Sequence, residues 1–169
     1  YILNRRIFDY DLSRLAADKG VEIFTRAYVN SLIIEEGIVK GVRLDYLGEQ
    51  REIRAKIVIG ADGVESRVGR WAGIRTQVKM KDMESGFQYT LANIKIPQNR
   101  MDFFVGNKYA PGGYLWIFPK GDGLANVGIG ISGTYSKAKS ARKYLDEFVN
   151  ERFPNASKLT TVCGGIPCD

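Results

Sequence analysis

Apolar positions recur at helical spacing near the start of the chain. Phe8, Leu12, Leu15 and Ala16 predict a helix that stops at Gly20, with Asp9 in its first turn. Tyr1–Leu3 before it reads as the end of a strand, and Val21–Phe24 after it as a short strand. Ala27–Glu35 and Ile38–Leu47 are rich in apolar and β-branched residues and meet at Glu36-Gly37, which predicts a hairpin. A second turn at Gly48-Glu49 leads into Gln50–Ala55 and completes a three-stranded meander.

The stretch Lys56–Gly73, KIVIGADGVESRVGRWAG, predicts a buried strand at Ile57–Ile59, a tight turn at Gly60 and Gly63, and a helix. Val64, Val68, Trp71 and Ala72 give that helix one apolar face, and Gly73 stops it. Asp62 and Glu65 have the spacing of a capping box. A strand, glycine turn and helix in succession aim backbone N–H groups and a positive helix end at one point, where an anion can sit. The plainer account is that Asp62 only caps and the glycines only turn. The continuous apolar run of the strand implies a parallel sheet, with the meander attached as an antiparallel excursion.

After Gly73 the pattern changes. Thr76–Asp82 is polar and basic and marks a domain boundary, dividing the chain into residues 1–75 and 76–169. Strands are expected at Gly86–Ile96 (closed by Pro97), Asp102–Gly106, Tyr114–Phe118 and Leu124–Ile131. Ala138, Ala141, Leu145, Phe148 and Val149 then mark an amphipathic helix ending before Pro154. Lys158–Val162 is a last strand, followed by a GGIPCD turn. The expected fold class is therefore α/β and α+β: part of a Rossmann-like domain, then an antiparallel sheet with a covering helix.

Within the second half, Gly112–Ile131 carries the densest pattern. Tyr114, Trp116 and Phe118 alternate with Leu115 and Ile117, so one face of the strand is aromatic and the other aliphatic. The returning strand sets Asn126, Gly128 and Gly130 on one face and Ala125, Val127, Ile129 and Ile131 on the other. A regular hairpin would place Tyr114 opposite Gly128. Aromatic rings covering strand glycines inside an ordinary core explain this pattern. So does a slot for a long, flat or apolar substrate beside bare glycines.

Composition narrows the chemistry. The 169 residues, 44% hydrophobic and 26% charged, suffice for one domain or one and a half. The net charge of +6 is spread among acids, which argues against nucleic acid as a partner and favours anionic ligands or membrane surfaces. There is no histidine, so histidine-based triads, metal sites and general bases are excluded, and no metal is expected. Cys163 and Cys168 are expected as free thiols in a reducing cytoplasm. No apolar run approaches the roughly 20 residues of a membrane span. The abrupt start on YILNRR suggests an internal piece of a larger protein.

The GADGVESRVGRWAG segment resembles the second dinucleotide motif of the flavin hydroxylase superfamily, with the motif arginine displaced to Arg67 or Arg70. The YLWIFPKG…ANVGIG hairpin resembles the geranylgeranyl reductase family of flavoproteins, especially archaeal members that saturate digeranylgeranylglycerol phospholipids. The likeness extends from YILNRRIFDYDLSRLAADKG at the start to GGIP near the end. It implies FAD as cofactor, with Arg5, Val29, Asp62 and Gly63 at the cofactor site and Val29 meeting adenine through its backbone. It implies that Tyr114, Trp116, Phe118 and Gly128 line a lipid channel.

Each residue has a structural rival. Arg5 is equally a surface ion-pair residue, Val29 and the aromatics equally sheet core, and Lys120 a solvated turn residue that could instead meet a lipid phosphate. The family's opening GxGxxG unit and closing GD motif are not in these 169 residues, so the chain alone is expected to be inactive and to hold FAD poorly. The implied reaction is hydride transfer from reduced flavin to isolated isoprenoid double bonds of a prenylated lipid. The electron donor would be external, either reduced ferredoxin or a nicotinamide. The expected location is the cytoplasm, with peripheral membrane contact compatible. The sequence assigns no catalytic proton donor. A flavin hydroxylase or halogenase of the same fold, and a non-enzymatic lipid-binding module, are the alternatives.

Overall fold

The computed structural model describes residues 2–168, which fall into two compact units: Leu3–Gln77, and Val78 to the end of the described residues. The start of the chain, expected as a strand end, has no regular structure at 2–4, and Tyr1 lies outside the described residues.

In the first unit, helix α1 (Arg5–Ala17) buries no residue, and Phe8, Leu12 and Leu15 are all exposed. It begins earlier than the apolar stripe suggests. Asp9 therefore falls past the first turn and pairs with Arg5 at 3.2 Å, one turn back. Gly20, at φ +87°, closes the helix end. Strands β1 (Ala27–Glu35), β2 (Ile38–Tyr46) and β3 (Glu49–Arg54) form the expected meander, antiparallel in the order β1-β2-β3. Both tight turns have two successive residues at positive φ, Glu36-Gly37 and Leu47-Gly48, the geometry that matches strand twist. The second turn sits one residue earlier than the sequence suggests. Leu32, Ile33 and Leu44 are the buried hydrophobic residues of this sheet.

The expected strands at Val21–Phe24 and Ile57–Ile59 do not form. Neither stretch pairs with a strand, and Ile57 and Ile59 are 79% and 85% exposed. A strand exists only through a neighbour that takes up its N–H and C=O groups, and among the described residues neither stretch has one. The predicted helix after them is broken in two. Gly63–Glu65 is a 3₁₀ turn, Ser66 adopts the left-handed region at φ 41°, and helix α2 (Arg67–Trp71) follows. No capping box forms. Asp62 instead reaches over the 3₁₀ turn to accept the Val68 N–H at 2.9 Å, while Glu65 pairs with Arg67 at 2.9 Å.

The second unit is a five-stranded antiparallel sheet. Its strands are β4 (Met83–Ala92), β5 (Asp102–Gly106), β6 (Ala110–Gly121), β7 (Leu124–Ser132) and β8 (Ser157–Pro167), in the order β5-β6-β7-β4-β8. β4 starts and ends earlier than expected, because Asn93 turns out of the sheet at φ 61°. The GGIP stretch is not a turn but the end of β8, paired with β4 from Gly86↔Gly164 to Met83↔Pro167. β8 is an edge strand, which is where a proline without an N–H is tolerated.

After β7 come a short helix α3 (Gly133–Ser136) and helix α4 (Ala141–Arg152), whose Ser140 hydroxyl accepts the Lys143 N–H at 3.3 Å. Ala138, expected inside the helix, precedes it. α4 lays Ala141, Leu145, Phe148 and Val149 on Leu115, Ile117, Ala125, Val127, Ile129 and Ile131, and this is the core of the unit.

One polar cluster ties α4 to the sheet. The Asp146 carboxylate accepts from the Tyr89 hydroxyl at 2.8 Å and from Lys158 Nζ at 2.6 Å. Partial burial opposes its ionisation, but the Lys158 and Tyr89 hydrogen bonds outweigh that and hold the carboxyl below its ordinary range. A depressed carboxyl stabilises the fold above its unfolded pKa of about 3.9 and loses that contribution as pH falls through the lower folded value. In the full-length protein, Asp146→Asn is therefore expected to lower the thermal midpoint at neutral pH. The gap to wild type should close on acidification. Equal gaps at neutral and acid pH would exclude this role for the carboxylate.

Candidate functional site

The sequence motifs fall on two places, one in each unit. In the first unit, a cleft of about 370 Å³ lies between β1 and the Asp62–Trp71 segment, lined by Tyr28, Val29, Asp62, Arg67, Val68 and Trp71 among others. Two expected cofactor residues, Val29 and Asp62, meet here, although 33 positions separate them in sequence. β1 is an edge strand, so one row of its backbone N–H and C=O groups has no strand partner. The ladder slips between Val29 and Ser31, which leaves Asn30 outside the register.

The Asp62 carboxyl sits below its ordinary range, chiefly through the Val68 N–H it accepts. Arg67 supplies a cation in the cleft, donating to the Tyr28 hydroxyl and to Glu65. Open edge amides, apolar walls from Val29 and Trp71, and a cation fit an adenine nucleotide. Gly63, at φ +74°, forms the turn beside the cleft rather than its wall. Arg5 does not line the cleft; it lies on exposed α1 with Asp9.

In the second unit, α4 covers one sheet face, and the other carries Tyr114, Trp116 and Phe118. The register differs from the expected one by two residues: Tyr114 faces Gly130, and Trp116 faces Gly128. The Trp116 indole lies flat on Gly128, so a β-carbon there would stand 2.5 Å from Cε2. Its Nε1–H donates to Gln88 Oε1 at 2.9 Å. Gly128 is thus covered by tryptophan and does not itself bound an open slot. The rings run in series: Trp116 stacks on Phe118 at 6.0 Å between centroids, and Phe103 of β5 touches both Tyr114 and Phe118 at 5.7 and 5.6 Å. An apolar hollow of about 600 Å³ opens beside Phe103, Val105, Gly112, Gly113 and Tyr114.

A row of glycines lies one row further along. Gly130, Gly86 and Gly164 are cross-strand neighbours on β7, β4 and β8, with Tyr114 at the end of the row. A side chain at Gly164 would meet nothing within 4 Å, whereas the Ile166 side chain lies over Gly86 and the Glu84 carboxyl over Gly130. Sequence reading missed Gly86 and Gly164. The only local signal is glycine inside a strand pattern, which marks close backbone approach without saying of what. Both cysteines are free and exposed, and among the described residues no acidic or thiol cluster could hold a metal.

These two arrangements belong to a fold that flavin-dependent enzymes share. The myxobacterial chondrochloren halogenase, described as FAD-dependent, superposes at TM-score 0.78 with 22% identity, covering 99% of this chain and 41% of that one. A geranylgeranyl bacteriochlorophyll reductase-like protein from Thermoplasma acidophilum superposes at TM-score 0.93 with 37% identity, covering 99% of this chain and 43% of that one. The family model for the geranylgeranyl reductase catalytic domain matches residues 82–166, and the chain belongs to that family. Digeranylgeranylglycerophospholipid reductases of Methanosarcina acetivorans and Methanocella arvoryzae are 51% and 48% identical to it over 99% of its length. The chain spans 42% and 43% of those two relatives.

Proposed function

We propose that the protein is an FAD-dependent reductase that saturates isoprenoid double bonds of prenylated glycerophospholipids. The observation that carries this reading is the row of aromatic rings beside a glycine row on the sheet face opposite the core. A sheet face of that kind offers a flat, apolar bed to a long unsaturated chain. When bound, the flavin supplies the hydride. The residues of this chain contribute binding and orientation. Val29 and Asp62 with the β1 edge hold the nucleotide end of the cofactor. Tyr114, Trp116 and Phe118 align the prenyl chain and keep water from it.

A lipid substrate requires the protein to reach a membrane surface, and no helix among the described residues is long and apolar enough to cross one. Work from the cytoplasm, peripherally at the membrane, with electrons from an external donor such as ferredoxin or a nicotinamide, completes this reading. Full-length protein is expected to show flavin absorbance and, once chemically reduced, to hydrogenate a geranylgeranyl glycerophospholipid. Arg5 stands outside the cleft and is carried by the family resemblance alone; on that ground Arg5→Ala is expected to weaken FAD by about 1–3 kcal/mol, the scale of one charge-assisted hydrogen bond. Absence of bound flavin would sink the reading. Unchanged FAD affinity in the variant would leave Arg5 as the surface partner of Asp9.

A further inference from the structure

Saturating a carbon–carbon double bond needs a proton as well as a hydride, and one side chain on the open sheet face is placed to give it. Glu84 opens β4 on the same face as Gly86, Gln88 and the glycine row, opposite Ser132 of β7 and Ile166 of β8. Its carboxyl does not point away into solvent. It leans back over the strip: a β-carbon at Gly130 would stand 2.5 Å from Oε2, and one at Gly113 would stand 3.2 Å from Oε1. Gly130 is also the residue that faces Tyr114, so the carboxyl hangs over the glycine row directly beside the aromatic wall.

The other side chains in these cross-strand rows are aromatic, aliphatic, hydroxyl or amide: Tyr114, Trp116, Phe118, Gln88, Thr90, Asn126, Ser132, Val162 and Ile166. Among the described residues, no ion pair includes Glu84, although Arg and Lys pair with carboxylates across the rest of the surface. The Cys168 thiol is its neighbour. Cys168 follows Ile166, which faces Glu84, by two residues, and its N–H donates to the Asp82 carbonyl; desolvation first, and the Glu84 carboxylate after it, hold that thiol above its ordinary range. A carboxyl without a cationic partner, laid across two glycines next to a ring wall, is poorly explained by stability and well placed for a substrate lying on the strip.

We propose that Glu84 is the proton donor to the isoprenoid double bond, an inference that rests on the reductase reading above. Reduced flavin, when bound, would supply the hydride with its electron pair to one alkene carbon and be left oxidised. The other alkene carbon takes the proton from the Glu84 carboxyl in its protonated form. The π bond is consumed, two C–H bonds form, and the resulting carboxylate is reprotonated by hydronium or buffer acid from solvent. Gly130 is needed bare because the carboxyl must lie flat against the strand to reach the chain above it, whereas Gly113 is bare because the Gly130 carbonyl approaches its backbone closely.

The test uses full-length, flavin-loaded protein. Wild type must first reduce the geranylgeranyl lipid; if it binds flavin yet does not, the reductase reading fails and this inference falls with it. If it does, Glu84→Gln is expected to keep the flavin, the thermal midpoint and lipid binding while losing reduction by about 100-fold or more, the range for a removed general acid. Glu84→Ala is expected to lose as much and to recover part of the rate with added formate, which a merely structural glutamate would not do. A second readout is independent of turnover. In a Cys163→Ser background, Cys168 is expected to alkylate faster in Glu84→Gln than in its parent at mildly alkaline pH, because the carboxylate beside the thiol is gone. Reduction by Glu84→Gln within threefold of wild type, or Glu84→Ala without formate rescue, overturns the assignment.

Discussion

Replacing Gly128 by leucine should cost the protein stability and function together, through one displaced ring. A β-carbon at position 128 would stand 2.5 Å from Trp116 Cε2 and 2.8 Å from Nε1. The strand backbone cannot retreat, because Gly128 is paired on both sides, with Trp116 and with Gln88. The indole must therefore leave. That breaks the Nε1–H bond to Gln88 and the stack on Phe118. Overpacking of this kind costs roughly 1–3 kcal/mol.

Trp116→Ala removes the obstacle, so the double variant should be more stable than the sum of the two single losses, by the coupling of about 0.5–3 kcal/mol seen for side chains in contact. Thermal midpoints of the four proteins in the cycle measure it. Strictly additive losses would mean that the ring does not sit on Gly128, and would restore an open slot there. Lipid reduction should fall in both single variants, since each unseats the middle ring of the wall.

The parts of this molecule that were legible in the sequence are those whose hydrogen bonds and burial are settled locally. The meander of β1 to β3 follows from two tight turns, each with a glycine at positive φ, and α4 from its stripe of Leu145, Phe148 and Val149. Ile57–Ile59 failed because an apolar β-branched run says that a strand would be buried, not that a neighbour is present to bury it. Read as a strand, it lies exposed among the described residues. The same holds for Val21–Phe24.

The nucleotide cleft was half legible. The motif gave Asp62, and the resemblance gave Val29, but nothing in the spacing says that Arg67 turns into the same cleft. The glycine row and Glu84 were not legible. Gly86 and Gly164 become neighbours of Gly130 only through β4 pairing with β7 on one side and β8 on the other, contacts made over 44 and 78 positions of sequence. The hairpin glycines were visible because β6 and β7 are adjacent in sequence. Even there a two-residue shift of register set Trp116 on Gly128 and moved Tyr114 to Gly130, keeping the same face.

The two faces of the second sheet should respond to mutation in opposite ways. Leu145 is fully buried between α4 and the sheet, amid Leu115, Val127, Ile129 and Ile131. Leu145→Ala removes three heavy side-chain atoms from a close-packed site, and such changes cost about 2–5 kcal/mol. Tyr114 stands on the other face, 44% exposed, held by ring contacts to Phe103 and Trp116 at 5.7 and 5.6 Å. Truncating it forfeits an aromatic pair or two, about 0.5–1.5 kcal/mol each at most for well-buried rings. Full-length Leu145→Ala should therefore show a large fall in thermal midpoint while each folded molecule reduces lipid at the wild-type rate. Tyr114→Ala should show the reverse, a small fall in midpoint and a loss of lipid reduction with flavin still bound. The measurement is paired, with midpoint and rate per folded, flavin-loaded molecule taken on the same preparations. If Tyr114→Ala keeps its rate, the aromatic face is only cover for strand glycines, and the substrate bed must be sought elsewhere on the protein.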